Sequence, residues 1–340
     1  MTTVKIATRK SPLAMWQAEY IADRLREHHE GLTVEIVSMV TAGDRLLNQR
    51  LASRGGKGLF LKELQRSLLK RETDIAVHSM KDVPVALPDG LVITSFCERA
   101  EARDAFVSNQ YQSIDSLPKG AKVGTASMRR TAQLKSAFPA LEFEDLRGNV
   151  NSRLRKLDKG QFDAIILAAA GLDRLGMSDR ITHLLPIELC LPAVGQGIIG
   201  IECRRDDEQI IDLLKPLNDA EAELLITAER ALNEGLDGGC HVPVAGYAQL
   251  RGQQLSLAAL VAEESGERVL ESSVEVNLAE EDNALEVARA LGQRVAVNLV
   301  EQGAAQILNA VLAEDQAKPG YVVLTRQSQF LGNTQSILSS

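Results

Sequence analysis

With 340 residues, 45% of them hydrophobic and 25% charged, the chain has the composition of a globular protein of two or three domains, which excludes fibrous and largely disordered classes. A net charge of −8 and only 4% aromatic residues argue against a nucleic-acid partner. No run reaches the ~20 apolar residues of a membrane helix, and Met1–Arg9 has no apolar signal core, so a cytoplasmic location and no membrane partner are expected.

In chain order, Val4–Thr8 reads as a strand, and Ser11-Pro12 opens a helix with Ser as N-cap and Pro at the first helical position. Leu13, Trp16, Tyr20, Ile21 and Leu25 then recur at helical spacing. Leu32–Val40 reads as a strand, Gly58–Arg71 as a helix and Asp74–His78 as a strand. Strand-like runs follow at Leu91–Ser95, Lys122–Gly124, Leu141–Glu144 and Asp163–Ala168, with helices between. This alternation predicts α/β sheets flanked by helices.

The pattern changes near Asn218. Asp219–Leu236 reads as a helix, Val242–Leu250, Leu255–Val261 and Val269–Val276 as antiparallel strands, and Glu280–Glu301 as a helix, an α+β module over 218–308. Beyond it lies a tail, 309–340. Its Tyr321–Thr325 reads as a strand without partners, either a loosely ordered end or the start of a further domain.

Charge is uneven along the chain. Arg99–Arg180 holds 14 Lys/Arg against 10 Asp/Glu, a balance of +4, whereas Asn218–Leu308 holds 5 against 16, a balance of −11. The middle of the chain is equipped to meet an anion. Within it, Arg129 and Arg130 follow a strand and occupy a first helical turn, where the helix dipole disfavours cations unless an anion is present. Arg147 and Arg153 flank another strand-to-helix turn, and Arg174 follows the Ala168–Leu172 run. Arginine is suited to bidentate carboxylate recognition; the competing reading for each is a solvated surface group.

Three further constellations stand out. The Gly55-Gly56-Lys57-Gly58 loop precedes a helix and exposes N–H groups and a cation, or is a plain glycine loop. Lys81 and Asp82 follow the Asp74–Val77 strand, at the carboxyl end where α/β sheets place their ligands; the alternative is an ion pair in a surface turn. Cys240, preceded by Gly238-Gly239 and followed by His241, stands on a loop after a helix, while Cys97, Cys190 and Cys203 lie in apolar contexts and are expected in the core. The cysteines are spaced neither for a metal site nor for a disulfide framework.

Taken together, Ile6–Ala14, Gly55–Phe60, Asp74–Pro84, Arg147–Val150, Leu191–Gly197 and Gly238–Cys240 resemble the porphobilinogen deaminase (hydroxymethylbilane synthase) family over about Lys5 to Leu308. The resemblance implies two α/β domains like type II periplasmic binding proteins, 1–97 with 198–217 and 98–197, joined by crossing segments near Phe96–Arg103 and Pro192–Gly200. A smaller α+β domain, 218–308, would carry the cofactor. It implies an enzyme that joins four porphobilinogen molecules into hydroxymethylbilane with release of ammonia. A dipyrromethane cofactor would be held by a thioether to Cys240. Asp82 matches the family's catalytic carboxylate, placed to stabilise the charge of an azafulvene formed as the amine leaves. Arg9, Ser11, Lys57, Arg147, Arg153 and Arg174 match its substrate contacts, and Lys81, Asp82, Ser127, Arg129, Arg130 and Arg147 its cofactor contacts. A monomer is expected, passing its product to a uroporphyrinogen-III synthase, whose opening strand Val322–Arg326 faintly resembles. Ala42, Ser53, Ala126 and His241 depart from the family's usual residues and bear on how its carboxylates and thiol are held. A different reading of the same two lobes is a non-catalytic protein that closes on a small anion.

Overall fold

The computed structural model describes residues 3–41, 61–236, 243–279 and 283–317. Its first sheet has the order β2-β1-β3-β10-β4, formed by β1 (Thr3–Arg9), β2 (Thr33–Met39), β3 (Ile75–Ser79), β4 (Leu91–Phe96) and β10 (Ile199–Arg204). Strands β1, β2 and β3 are parallel, and β10 runs antiparallel between β3 and β4. Helix α1 (Pro12–His28) is capped as its sequence predicts: the Ser11 hydroxyl accepts from the Ala14 amide, with Pro12 in the first turn. Its Ala18, Ile21, Ala22 and Leu25 face Val4, Ile6, Ile75 and Ile201 in one core. Helix α2 (Lys62–Leu69) packs Leu64 and Leu68 against Ala7, Ala76 and Leu91. The expected helix start at Gly58 lies outside the described residues.

The second sheet has the order β7-β6-β8-β5-β9. It contains β5 (Asp104–Val107), β6 (Lys122–Gly124), β7 (Glu142–Glu144), β8 (Ala164–Ala168) and β9 (His183–Leu184), with α3 (Met128–Ala137), α4 (Val150–Asp158) and α5 (Ala169–Arg174) following strands β6, β7 and β8. Sequence patterning anticipates neither β5 nor β9. The reason lies in β5 itself, which is buried on both faces from Asp104 to Val107 and so shows no alternation. The two sheets are joined where the segments after β4 and before β10 run side by side. There Cys97 N donates to Ile199 O at 2.9 Å and Ala100 N to Gly197 O at 3.2 Å. Gly197 has φ +92°, and a Cβ on it would stand 2.5 Å from the Ala100 carbonyl oxygen, so only glycine fits this crossing.

After β10 come α6 (Glu208–Leu214) and α7 (Ala220–Gly235), then the antiparallel sheet β11 (Val244–Arg251), β12 (Gln254–Ala262) and β13 (Val269–Asn277), then α8 (Ala284–Glu301) and α9 (Ala304–Ala317). Helices α7 and α8 cover one face of this sheet through Leu225, Leu232, Leu291 and Val295. The module does not end at Leu308, as the sequence suggests. Helix α9 continues through that position, with Ile307 and Leu308 buried and Val311 packed on the same core. The Tyr321–Thr325 strand lies outside the described residues. None of the described helices is long and apolar enough to cross a membrane.

Candidate active site

The turn that ends β3 carries the first pair of candidates. Met80–Asp82 forms a single 3-10 turn, with Met80 buried beneath it and Asp82 exposed. Asp82 lines a small cavity of about 80 Å³ together with Arg9 and Ser11 from the end of β1 and the start of α1. The carboxyl ends of two neighbouring parallel strands thus bring three predicted residues together. Gln17 of α1 closes the same cavity by donating to Ser79 Oγ at 2.8 Å, a contact with no signal in the sequence.

Lys81 is half-buried and donates from Nζ to Gln196 Oε1 at 3.4 Å. Burial lowers its pKa to about 8, opposed by Asp82 and Asp104 and assisted by Arg129 and Arg130. Arg153, on α4, is pushed down to about 10, again by burial first and then by Arg130, while Asp82 and Asp145 act the other way. These mutual influences bring Lys81, Asp82, Arg129, Arg130 and Arg153 into one electrostatic neighbourhood between the two sheets.

Arg129 and Arg130 are deeply buried, not solvated, and the anion that offsets their place in a first helical turn is part of the protein. Asp104, at the start of β5, accepts from Arg129 Nη2 at 2.7 Å and from Arg130 Nη2 at 2.6 Å. Burial alone would raise its carboxyl, but the two arginines outweigh burial and hold it below the usual carboxylate range. Arg129 also donates to Leu191 O and Arg130 to Ile166 O. Among the described residues the Nε atoms of both are buried without a hydrogen-bond partner, which is uncommon for buried donors. Ser127 stands at the N-cap position of α3, yet its hydroxyl makes no capping bond. Gln196 ties the region together: its amide donates to Asp104 Oδ1 at 2.9 Å and to Ala102 O at 2.6 Å while its oxygen receives Lys81.

The other arginines differ. Arg153 donates from Nε to Gly148 O at 2.7 Å, in a turn capped by Asn149. Arg147 is exposed and pairs with Asp145 at 2.6 Å. Arg174 joins other groups: its Nη2 donates to Gly197 O at 2.6 Å and its guanidinium lies 5.8 Å from the Trp16 ring centroid. Lys57 and Cys240, with Ala42, Ser53 and His241, lie outside the described residues. The three other cysteines are buried as expected, and burial pushes the Cys97 thiol up to about 11 and, with Asp104 adding to it, the Cys190 thiol to about 12, which leaves both inert.

A family model described as the porphobilinogen deaminase dipyrromethane cofactor-binding domain matches residues 4–212, and one described as the porphobilinogen deaminase C-terminal domain matches residues 223–301. The chain belongs to the porphobilinogen deaminase family. It is accordingly a transferase of the hydroxymethylbilane synthase type in tetrapyrrole biosynthesis, acting on porphobilinogen. Among solved structures it is similar to a putative methionine-binding lipoprotein from Bacillus subtilis, at 14% identity and TM-score 0.41, over 65% of this chain and 92% of that one. It is also similar to the methionine-binding protein MetQ (16% identity, TM-score 0.40, 65% and 91% covered) and the periplasmic VFT2 domain of BvgS from Bordetella pertussis (19%, 0.38, 62% and 85%).

A dipyrromethane carries four carboxylates, and the residues present suit such a group. The cations Lys81, Arg129, Arg130 and Arg153 converge on one region, and the buried Nε atoms of Arg129 and Arg130 have no hydrogen-bond partner among the described residues.

Proposed function

We propose that this protein condenses four porphobilinogen molecules head to tail into hydroxymethylbilane on a dipyrromethane held by a thioether to Cys240. The observation that carries this reading is the pairing of one exposed carboxylate, Asp82, with a set of buried or half-buried cations between two sheets. A cation displaced from water gains most from an anionic ligand, and burial is the largest cause of the lowered pKa values of Lys81 and Arg153.

In the proposed assignment Lys81, Asp82, Ser127, Arg129, Arg130 and Arg147 hold the cofactor. Arg9, Ser11, Lys57, Arg147, Arg153 and Arg174 receive carboxylates of substrate and growing chain. When bound, the cofactor supplies the nucleophilic pyrrole carbon at which the chain is extended. Arg9 and Ser11 orient a porphobilinogen molecule against Asp82, whose cavity they share. Asp82 places a fixed negative charge beside the pyrrole N–H as the aminomethyl C–N bond breaks and ammonia departs. It also accepts and returns protons as the new C–C bond forms and the nucleophilic pyrrole carbon loses its hydrogen. We assign 1–97 with 198–217, and 98–197, to the two cleft-forming domains and the region from 218 to the cofactor-bearing one. The protein is proposed to work as a cytoplasmic monomer whose product passes to a uroporphyrinogen-III synthase.

Intact mass tests this directly. The parent protein should be heavier than its sequence by one dipyrromethane and give a pink colour with an acid aldehyde reagent. Cys240→Ser should have the bare mass and no colour. An adduct that persists in Cys240→Ser overturns the thioether assignment, and a parent that releases no ammonia from porphobilinogen overturns the reaction.

A further inference from the structure

Helix α7 ends at Gly235, shortly before Cys240 in sequence. Two adjacent residues on it, Glu229 and Arg230, reach in different directions. Glu229 is fully buried: it forms a two-pronged ion pair with Arg99 (2.7 and 3.1 Å) and accepts from Gly195 N at 2.6 Å and Ala248 N at 2.8 Å. The helix is thereby fixed to both crossing segments and to β11. Arg230 reaches instead to the chain just after Asp82. Its Nη2 donates to Pro84 O at 3.0 Å and Val85 O at 2.9 Å, and its Nη1 to Val83 O at 3.4 Å. Met80, at the other side of the same turn, packs on Ala222 and Ile226 of α7.

We propose that Arg230 is a positioning residue: its grip on three successive carbonyls holds the Asp82 turn in register with the helix that leads to the cofactor cysteine. The proposal rests on the assignment of Asp82 and Cys240 above. A flat guanidinium holds its five N–H donors in a fixed fork, so the three carbonyls are held in one defined geometry, whereas the three donors of an ammonium rotate freely. Asp82 stands in a turn of three residues, with no helix of its own to stiffen it. Its carboxylate therefore takes its place from what clamps the chain on either side, Met80 by packing and residues 83–85 by Arg230. The competing reading is that Arg230 only satisfies carbonyls and stabilises the fold.

A double-mutant cycle separates the two. Porphobilinogen turnover and cofactor loading, the latter by intact mass, are measured for the parent, Arg230→Gln, Asp82→Asn and the double variant. Misplacement of a reacting group by about 1 Å costs up to about a hundredfold. Arg230→Gln is expected to load its cofactor and lose roughly ten- to a hundredfold in kcat, with KM changed less than about threefold. In the Asp82→Asn background the same substitution should cost less than about threefold. Amide exchange over residues 80–87 should quicken in Arg230→Gln while exchange in α7 does not. Equal losses in both backgrounds, a single variant within threefold of the parent, or unchanged exchange over 80–87 would each overturn the proposal. Should Arg230→Gln fail to fold, Arg230→Lys takes its place in the cycle, and failure of both makes Arg230 a stability residue only. A parent that releases no ammonia refutes the function instead, and the exchange comparison then judges the grip by itself.

Discussion

Asp104 lies between Arg129 and Arg130 and takes one hydrogen bond from each with a different carboxylate oxygen, 2.7 Å from one and 2.6 Å from the other, with all three side chains buried. Two buried cations against one carboxylate leave a net positive region, which suits a site for a polyanion. Removing the carboxylate leaves both guanidiniums uncompensated, and breaking a buried pair in this way costs about 3–5 kcal/mol. Asp104→Asn should destabilise the protein by that order. The sign of the pH dependence follows from the lowered carboxyl: the stabilisation is complete above the unfolded value of about 3.9 and is lost as pH falls toward the lower folded value. Urea unfolding should show the gap between parent and Asp104→Asn narrowing progressively below about pH 4. A gap that stays constant through acid pH would mean that the charge of Asp104 is not what stabilises the fold.

In the first sheet, strand β2 is legible by its alternation and helix α1 by its capping Ser11 and its Pro12. Strand β5 is not: four wholly buried residues opening with a charge look like neither strand nor helix. Asp104 is therefore hidden with it, although the misplaced Arg129-Arg130 pair signals that an anion must be near. The sequence supplies the need for an anion, and only the crossing of chain segments 25 residues apart reveals that the protein meets part of it itself. Arg230 and Gln196 are illegible for a similar reason, since their partners are backbone carbonyls or side chains brought together by the domain crossing. Arg9, Ser11 and Asp82 were legible as separate motifs, and parallel strands β1 and β3 make them neighbours.

Arg174 is set apart from the other arginines by its contacts with Gly197 and Trp16, which connect α5 to the second crossing segment and to α1. Arg129 and Arg130 are committed to Asp104 and to the fold. Substitutions should therefore divide. Arg129→Leu or Arg130→Leu should impair folding and cofactor loading together. Arg174→Leu should load the cofactor and trap enzyme that carries partly grown chains, with turnover reduced at least about tenfold. Native mass spectra of each variant after a pulse of porphobilinogen check this, and an identical ladder of adducts in all three would refute the division.

Lys81 provides a pH signature. Burial, the largest influence, brings its ammonium down to about 8, so in the apoprotein it loses its charge as pH rises through that value. An uncharged amine no longer attracts a carboxylate. The rate at which the apoprotein loads its cofactor should fall on the alkaline side with an apparent pKa near 8, while kcat/KM of the loaded enzyme should fall at higher pH because the bound cofactor carboxylate favours the ammonium. Lys81→Arg keeps its charge throughout and should move the alkaline limb of the loading rate upward. A limb unchanged in Lys81→Arg would assign it to another group.

Asp82 is the sharpest test of the mechanism. It is exposed at the end of β3, lines the cavity shared with Arg9 and Ser11, and belongs to a turn clamped from both sides. Its role is electrostatic, so its charge should matter more than its shape. Loss of one preorganised stabilising group costs on the order of 2.7–4 kcal/mol, or about 10²–10³ in rate. Asp82→Asn keeps the outline of the side chain and removes the charge: turnover should fall at least about a hundredfold, while unfolding midpoint and KM stay close to those of the parent. Asp82→Glu keeps the charge and shifts it by one methylene, and it should retain more activity than Asp82→Asn. An exposed ion pair with Lys81 and nothing more would be worth only about 0–1 kcal/mol and would predict little change in either variant. Steady-state rates on purified proteins whose cofactor loading has been verified by mass decide between these outcomes, and an Asp82→Asn enzyme within a few-fold of the parent would remove Asp82 from the reaction.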